Sequence, residues 1–481
     1  MKKTKRLLAM LMAAVMAMGM LAGCGGEKAE DDVVTLTWYI MGDTTLPDND
    51  EVFQAASDMV YEKLGYKLRI MPIDAASYND KMKMIIAGGE DWDICWTSNW
   101  CNNYANNVTN GAYLQLDDLL SEVPTLRDSI DEKIWEGVKA DGGIYGIPVQ
   151  QIMARNSAVS MPLEFWDKYN DTLVNVKSYQ DMDAFMKKFG VDYPNVARVT
   201  FNWQNLMYDQ NIEPIAKPAA IDLEGPADEI KVYNMYETEE FKNLVLLRRE
   251  WTKNGYTRKG TDGNATSANR KPEQEPWVID CYKPGYEVMR EASVKYPVKV
   301  FTISDNYLTN DGIQATLHSI NYASKHPVEA LKFLEFANTS PEFVNLLVYG
   351  IEGKHYTKID DVTVKRVDKP GYQNSDWCIA NVFNTYVMEG QPADAHAQTK
   401  AMNDNAKTSR ILGFNLDRDP IKIQLANCGS VLNEYNAQLE EGLVEDTEAF
   451  LDEMNAKLKT AGVDEIVAEV QRQIDEWLAT K

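Results

Sequence analysis

Residues 96–107 have the sequence WTSNWCNNYANN and combine two tryptophans and a tyrosine with five asparagines. The face of an aromatic ring is the negative side of a quadrupole, and it therefore attracts weakly positive C–H groups. A side-chain amide carries two donors and two acceptor lone pairs on one rigid group. A saccharide presents both matching surfaces, a patch of axial C–H bonds and a rim of hydroxyl groups. The stretch is therefore predicted to bind a neutral sugar.

Further aromatic and amide residues that stand beside polar neighbours or near strand ends are candidates for the same ligand. The candidate contacts are Trp38, Trp96, Ser98, Asn99, Trp100, Tyr104, Gln150, Gln151, Trp203, Asn205, Trp277, Trp377 and Asn381. Each tryptophan could instead serve a hydrophobic core. The asparagines could belong to a solvated loop that uses their turn conformations.

The residues before this stretch alternate between strand and helix patterns. Strands rich in β-branched and aromatic residues are predicted at 34–41, 67–73 and 93–96, with helices at 48–64 and 75–87 between them. A β-α-β-α-β order predicts a mostly parallel sheet covered by helices. Ligands of such sheets bind beyond the carboxyl ends of the strands, which is where the stretch 96–107 begins.

Later segments give weaker but readable signals. A tight turn at 141–148 leads into an extended segment, and residues 257–276 form a polar loop. Helices are predicted at 241–254 and 327–338 and twice in the tail, and strands at 298–303 and 312–322. One tail helix has Phe450, Leu451, Met454 and Leu458 on a common face, and the other has Ile466, Val467, Val470, Ile474 and Trp477.

The N-terminus is typical of an export signal. Residues 1–6 carry four positive charges, and residues 7–22 are apolar but shorter than the about 20 residues that a membrane-spanning helix needs. The run ends at Leu21-Ala22-Gly23-Cys24, and residues 25–32 are small and charged, as in a flexible tether. An ordinary signal peptide with an incidental cysteine is the alternative.

Charge and cysteine content exclude several classes of function. Loss of the four basic residues of the signal changes the formal charge from −24 to −28, which disfavours nucleic acids and anionic membrane surfaces and suits neutral or cationic ligands. Five scattered cysteines follow Cys24, and mostly free thiols are expected, although Cys95 and Cys101 are close enough to bridge. The four histidines lack metal-ligand spacing, so neither a metal nor another cofactor is expected.

Several motifs together resemble one family, the extracellular solute-binding lipoproteins of ABC importers, family 1, of the maltose-binding type. The motifs are the lipobox at 21–24, GIYGIP at 143–148, ASKHPVEALKFL at 323–334, NLLVYGIEGKHY at 345–356 and ILGFNLDRDPIK at 411–422. The last two are similar to a Gram-positive subgroup with a characteristic C-terminal region. The resemblance covers essentially the whole mature chain.

The resemblance implies an α/β fold of two lobes with hinge strands, a helical C-terminal region and a ligand held between the lobes. Residues 1–23 would be the signal peptide, and 24–33 the lipidated Cys24 with its tether. Lobe one would comprise 34–148 plus 297–345, and lobe two 149–296 plus 346–481. The chain would cross between the lobes near Pro148, Pro297 and Ser340.

The function implied by the resemblance is ligand capture by hinge closure, without catalysis. The partners would be an oligosaccharide, the permease subunits of the importer, and the membrane through a lipid on Cys24. The chain would be a monomer on the extracytoplasmic face of a bacterial cell.

Three other functions stay open. The same fold could bind a peptide or a polyamine, because tryptophan boxes also hold cations. A glycoside hydrolase would need two carboxyl groups roughly 5–9.5 Å apart, and no local carboxylate motif stands out among the 73 acidic residues. A Ser-His-Asp hydrolase is not one of the three, because the sequence contains no G-x-S-x-G motif. A purely structural surface lipoprotein is the third alternative.

Overall fold

The first elements of the chain form the predicted β-α-β-α-β unit. The structure is a computed structural model that describes residues 33–194, 208–226, 228–256 and 271–480. Its first elements are β1 (Thr35–Met41), α1 (Asn49–Leu64), β2 (Lys67–Ile73), α2 (Ala75–Gly88) and β3 (Ile94–Thr97). Helix α1 ends at Gly65, whose φ of +78° is the left-handed conformation that glycine adopts without strain. The predicted bounds of these five elements are confirmed to within a residue or two.

The remaining described elements extend to the C-terminus. The strands are β4 (Ile147–Pro148), β5 (Ala158–Pro162), β6 (Ile212–Ala216), β7 (Ala219–Asp222), β8 (Tyr233–Asn234), β9 (Val278–Asp280), β10 (Val298–Thr302), β11 (Tyr307–Leu308), β12 (Leu317–Ile320), β13 (Tyr356–Lys358), β14 (Thr363–Arg366), β15 (Val387–Met388) and β16 (Lys407–Thr408).

The other α-helices are α3 (Tyr104–Thr109), α4 (Pro124–Asp128), α5 (Glu132–Val138), α6 (Leu163–Lys168), α7 (Asn170–Leu173), α8 (Met182–Asp192), α9 (Glu239–Lys253), α10 (Tyr286–Val294), α11 (Asn310–Ile313), α12 (Pro327–Thr339), α13 (Pro341–Tyr349), α14 (Ala395–Asp404), α15 (Lys422–Glu441), α16 (Thr447–Ala461) and α17 (Val463–Leu478). Short 3₁₀ helices span Leu120–Glu122, Met235–Glu237, Pro272–Gln274, Asp376–Cys378, Val382–Asn384 and Asp419–Ile421.

The central sheet is mixed rather than mostly parallel. Its strand order is β2-β1-β3-β12-β4, and β1 pairs in parallel with both β2 and β3. Strand β12 is antiparallel to both of its neighbours, β3 and β4. The strand predicted at 312–322 is shorter because the hydroxyl of Thr309 accepts the Gly312 N–H at 3.0 Å and starts helix α11 there.

Buried apolar side chains form three large cores. The first surrounds the five-stranded sheet and includes Trp38, Trp96 and Phe333; it also takes in α13 and the segment around Cys378. The second lies between α6–α9 and the three-stranded sheet β10-β5-β9. In the third, helices α15–α17 pack against β7, as the periodic apolar faces of the tail predict.

Among the described residues, three chain segments pass between the first core and another core. Met153 lies in the first core and Val159 in the second, whereas Ile303 lies in the second and Leu308 in the first. The third passage is near Leu412, which belongs to the first core, while Ile411 belongs to the third. The predicted crossing near Ser340 falls between α12 and α13, which both pack in the first core.

The three crossing segments are hydrogen-bonded to one another. Arg155 pairs with Tyr307, and β11 pairs in parallel with β16. The amide oxygen of Asn403 accepts the N–H groups of Met153 and Ala154, each at 2.9 Å. The same side chain donates to the carbonyl of Gln151 at 2.6 Å. One asparagine therefore fixes the first crossing against helix α14.

The expectation of free thiols is confirmed. Cys95, Cys101, Cys281, Cys378 and Cys428 form no disulfide, and all except Cys281 are buried. Burial raises the pKa of the Cys95 thiol to about 12 and that of Cys428 to about 11. In the described ranges, no helix combines the length and apolar character needed to cross a membrane.

Candidate functional site

Trp100 presents an indole face to solvent just beyond the carboxyl end of β3. Its side chain is 59% exposed, whereas Trp96 is fully buried. The Trp100 indole N–H donates to the carbonyl of Ala315 at 3.0 Å, and its ring centroid lies 5.4 Å from that of Trp96. The ring is held at its edge and open on a face, which is the geometry needed for stacking on a patch of C–H bonds.

A second indole stands beside the first. Trp377, from the one-turn helix Asp376–Cys378, is partly buried, and its ring centroid is 6.1 Å from that of Trp100 at an interplanar angle of 45°. Thr316 connects the group: its hydroxyl accepts the Trp96 indole N–H at 2.7 Å and donates to the Trp377 carbonyl at 3.2 Å. Trp96 is therefore the buried support of a surface formed by Trp100 and Trp377.

The polar residues of the stretch mainly hold the loop. The buried hydroxyl of Ser98 accepts the Cys101 N–H at 2.8 Å and is thus engaged within the loop. The Asn102 amide donates to the Trp96 carbonyl at 2.9 Å, and the Asn103 oxygen accepts the Asn106 N–H at the start of α3. The turn role that the sequence left open for these asparagines explains most of them.

Asn99 reaches across the site. Its amide donates to the carbonyl of Asp311 at 3.2 Å, while its amide oxygen is buried without a hydrogen-bond partner among the described residues. An unused acceptor beside Trp100 is available for a ligand hydroxyl, provided that a small movement of the loop exposes it.

One cavity contains Trp377, and a second lies beside Asp311, whose carbonyl accepts the Asn99 amide. One, which we term the Trp377 cavity, has a volume of about 340 Å³ and is lined by Trp377 together with Lys283, Met289, Tyr349, Arg366 and Phe383. The other, the Asp311 cavity, has a volume of about 170 Å³. Its charged lining residues are Lys139, Asp141, Glu213, Asp311, Asp417, Arg418 and Asp419. The Asp311 cavity lies between Ala140 of the first core and Phe414 of the third. The Trp377 cavity lies between Tyr349 of the first core and Val288 and Met289 of helix α10.

The Asp311 cavity contains a buried carboxyl group with an altered pKa. Glu213, on β6, accepts a hydrogen bond from the Ser409 hydroxyl at 2.6 Å. Burial, with a smaller contribution from Asp311, raises the pKa of Glu213 to about 7. The folded protein therefore keeps a proton that the unfolded chain releases near pH 4.5.

This difference predicts a pH dependence of stability. Because the folded state binds the additional proton between about pH 4.5 and 7, the contribution of Glu213 to stability falls as pH rises through that window. We expect the wild type to lose roughly 2–4 kcal/mol more unfolding free energy than Glu213→Gln between pH 5 and 8. Urea unfolding of both proteins at several pH values measures this; parallel profiles would contradict the assignment.

Four of the other candidate residues are engaged inside the protein. Trp38 and Trp277 are almost fully buried in the first and second cores, so neither indole has a face open to a ligand. Tyr104 is buried and its hydroxyl oxygen accepts the Tyr145 N–H at 3.0 Å. Gln151 is buried next to the Asn403 contact.

Two candidates stand at the margin of the cleft, and others lie outside the described residues. The partly buried Gln150 donates to the Ser129 hydroxyl at 3.2 Å. Asn381 caps the one-turn helix Val382–Asn384 by accepting the Phe383 N–H at 3.0 Å. Trp203, Asn205 and Cys24, with most of the polar loop predicted at 257–276, are not among the residues that the structure describes.

Sequence reasoning missed the residues that reach the site from distant parts of the chain. These are Lys283, Thr316, Arg366 and Asp376, together with the carbonyl of Ala315. His318 supports the site from below: it lies opposite Trp96 in the sheet, and burial lowers its pKa to about 3, so that it is neutral. Only Asp376 had a local signal, as a neighbour of Trp377.

The chain is similar to known proteins over nearly its whole length. A carbohydrate ABC transporter substrate-binding protein of Streptococcus pneumoniae is 28% identical over 487 residues, covering 98% of this chain and 96% of that protein. Residues 410–479 match the domain of unknown function DUF3502. That match falls in the C-terminal region that the sequence motifs associate with a subgroup of the family.

Solved structures agree. The N-glycan transport solute-binding protein NgtS of S. pneumoniae is 25% identical, with a TM-score of 0.81 over 93% of this chain and 99% of NgtS. NgtS in complex with Man1GlcNAc is 24% identical, with a TM-score of 0.78 over 92% and 99% of the two chains. The resemblance to the solute-binding proteins of ABC importers and the two-lobed fold class are confirmed, and these relatives are binding proteins rather than enzymes.

Proposed function

We propose that this chain, a relative of carbohydrate-binding proteins of ABC importers along nearly its whole length, captures an oligosaccharide outside the cell and delivers it to a membrane permease. The observation that carries the proposal is Trp100, a fixed indole with an open face at the carboxyl end of β3. Trp377 extends this surface toward a cavity large enough for a sugar ring. The relatives named above support the class of ligand.

Capture would work by closure of two lobes. The family resemblance assigns 34–148 plus 297–345 to lobe one and 149–296 plus 346–481 to lobe two. Because α13 and the segment 356–380 pack in the first core, we place residues 346–380 in lobe one and keep 381–481 in lobe two. The three crossings that enter or leave the first core, at 153–159, 303–308 and 411–412, are the segments where the chain would bend. A ligand that contacts both lobes stabilises the closed form over the open one.

The mature protein would be anchored by a lipid on Cys24. The support is sequence-based: a basic start, a short apolar run and the LAGC lipobox at 21–24. A single acyl chain gives only marginal membrane binding, so a stable anchor at this cysteine requires at least two acyl chains. The wild-type protein should incorporate labelled palmitate, and Cys24→Ala should not. Equal labelling of the two proteins would argue against lipidation at this residue.

The function is tested by ligand-dependent stability. Residues 25–481 are mixed with neutral oligosaccharides such as Man1GlcNAc, with short peptides and with polyamines, and thermal unfolding is followed. A ligand at 100 times its dissociation constant adds about 2.7 kcal/mol of stability. We expect an upward shift with saccharides and no product after incubation. Release of shorter sugars would instead indicate a glycosidase.

Cationic ligands are the second candidate because of one observation. Besides Glu213, the Asp311 cavity is lined by four carboxylates and two cationic side chains, an environment that attracts amines. If only peptides or polyamines raise the unfolding temperature, the fold and the importer role stand, but the proposed ligand is no longer a sugar.

A further inference from the structure

The Trp377 cavity has an unusual charge for this chain. Its lining contains two cationic side chains, Lys283 and Arg366, and one carboxylate, Asp376. The cavity is thus positive by one charge, although the whole chain has a formal charge of −24. Lys283 and Asp376 are mostly buried, with side chains 17% and 19% exposed.

One carboxylate serves both cations. The Asp376 carboxylate lies 3.9 Å from the Lys283 ammonium, at the outer limit of an ion pair. The other carboxylate oxygen of Asp376 accepts the backbone N–H of Trp377 at 2.8 Å. Burial lowers the pKa of Arg366, and Asp376 is the one carboxylate in the described part of the chain whose charge raises it. Neither cation therefore has a carboxylate of its own among the described residues.

Arg366 has unused donor capacity. Its Nη2 donates to the Val348 carbonyl at 3.1 Å, and its guanidinium lies over the ring of Tyr349, 4.9 Å from the centroid. Its Nη1 is buried and has no hydrogen-bond partner in the described part of the chain. A buried cation with an unsatisfied donor is costly, and buried charges are normally paired. An anionic group in the cavity would remove this cost.

The cavity continues the aromatic surface. Trp377 lines the cavity and also contacts Trp100, so a ligand stacked on Trp100 can extend past Trp377 to Lys283. Lys283 follows β9, whereas Arg366 and Asp376 lie on or beside the first core. An anion placed between them would contact both sides of the cleft.

We infer that the Trp377 cavity is a subsite for an anionic group, a carboxylate or a phosphate, carried by the sugar unit next to the stacked one. This inference rests on the proposed function and narrows its substrate class to acidic oligosaccharides. The neutral sugar expected from the sequence would then be the unit on Trp100 alone. A guanidinium and an ammonium both bind such oxygens by charge-assisted hydrogen bonds.

The test compares three matched disaccharides by calorimetric titration of residues 25–481. They are Man1GlcNAc, the same disaccharide with the mannose oxidised to mannuronic acid, and its mannose 6-phosphate. We expect at least one acidic form to bind ten-fold or more tightly than the neutral form, with an advantage that shrinks as salt is added. The two acidic forms distinguish a carboxylate site from a phosphate site.

Two substitutions with opposite expected effects test the roles of Lys283 and Asp376. Lys283→Gln should reduce the ratio of acidic to neutral affinity several-fold, and Asp376→Asn should increase it. Lys365→Gln is the matched control, because Lys365 precedes Arg366 in β14 but is 60% exposed, pairs with Glu389 and is not part of the cavity lining. It should leave the ratio unchanged. Melting temperatures of the free variants show whether each is folded.

The outcomes separate the inference from the function. Equal binding of the neutral and acidic disaccharides would overturn the subsite and leave sugar capture intact. A preference for acid that Lys283→Gln and Lys365→Gln lower equally would also overturn it, because that result indicates long-range attraction only. Binding of none of the three would count against the proposed function and this inference together.

Discussion

Trp100→Ala is expected to lower the affinity for a bound saccharide about 30-fold or more. Loss of a central tryptophan contact commonly costs about 2 kcal/mol or more of binding free energy. Because the side chain is 59% exposed in the free protein, its loss should change the free energy of unfolding by about 1 kcal/mol or less. Titration calorimetry and urea unfolding of the same protein give the two quantities.

An exposed aromatic residue outside the cleft provides the control. Tyr322 is 69% exposed after β12 and lines neither the Trp377 cavity nor the Asp311 cavity. Tyr322→Ala should change neither the affinity nor the stability appreciably. If Trp100→Ala destabilises the free protein strongly while the affinity of the folded fraction is kept, Trp100 is a packing residue and the stacking surface must be abandoned.

Trp277→Ala is expected to have the opposite pattern, with a loss of about 3–5 kcal/mol of unfolding free energy. The indole is 1% exposed and donates to the Met186 sulfur at 3.1 Å. Its ring centroid lies 5.4 Å from that of Tyr179 and 5.9 Å from that of Trp251. Removal leaves a cavity in the middle of an aromatic cluster, while the saccharide affinity of the protein that remains folded should be nearly unchanged.

Trp277→Phe separates volume from ring chemistry. The smaller aromatic ring fills part of the space and should recover a substantial part of the lost stability. Denaturant unfolding of the three proteins, followed by titration below the transition, decides the matter. If Trp277→Ala is as stable as the wild type but does not bind sugar, Trp277 is a ligand contact rather than a core residue.

Local patterns predict the first sheet strands and helices well. The β-branched and aromatic residues of β1, the acidic first turn of α1 and the glycines after α1 and α2 are all short-range signals. The place of β12 is not predictable in this way, because it inserts between β3 and β4 after a long excursion of the chain. That insertion makes the sheet mixed and brings Thr316 and His318 against Trp96.

The tryptophans show why the site was harder to predict than the fold. Trp38, Trp100 and Trp277 all stand near polar residues in the sequence, yet only Trp100 among them has an exposed face. Burial is decided by what packs on each ring: Trp38 meets Phe333 and His318, which come from elements far along the chain. A single sequence carries no local signal for such contacts.

The asparagines of the opening stretch give a related result. Their composition suggests hydroxyl recognition, but Asn102 adopts a left-handed φ of +47°, and its amide binds the backbone of the loop. The asparagine-rich composition therefore reflects, in part, the hydrogen bonds that hold the loop. The residues that give the neighbouring cavity its charge, such as Lys283 and Arg366, lack any pattern that would set them apart from surface cations.

The distribution of thiols gives a practical handle on the movement of the lobes. Of the five cysteines in the described residues, only Cys281 is not buried, and it follows β9 two positions before Lys283. A thiol-reactive fluorophore applied to the native protein at neutral pH would thus attach chiefly beside the cleft, with no cysteine engineered or removed. A fluorophore on Cys281 would therefore report ligand binding by the wild-type protein as a change in fluorescence.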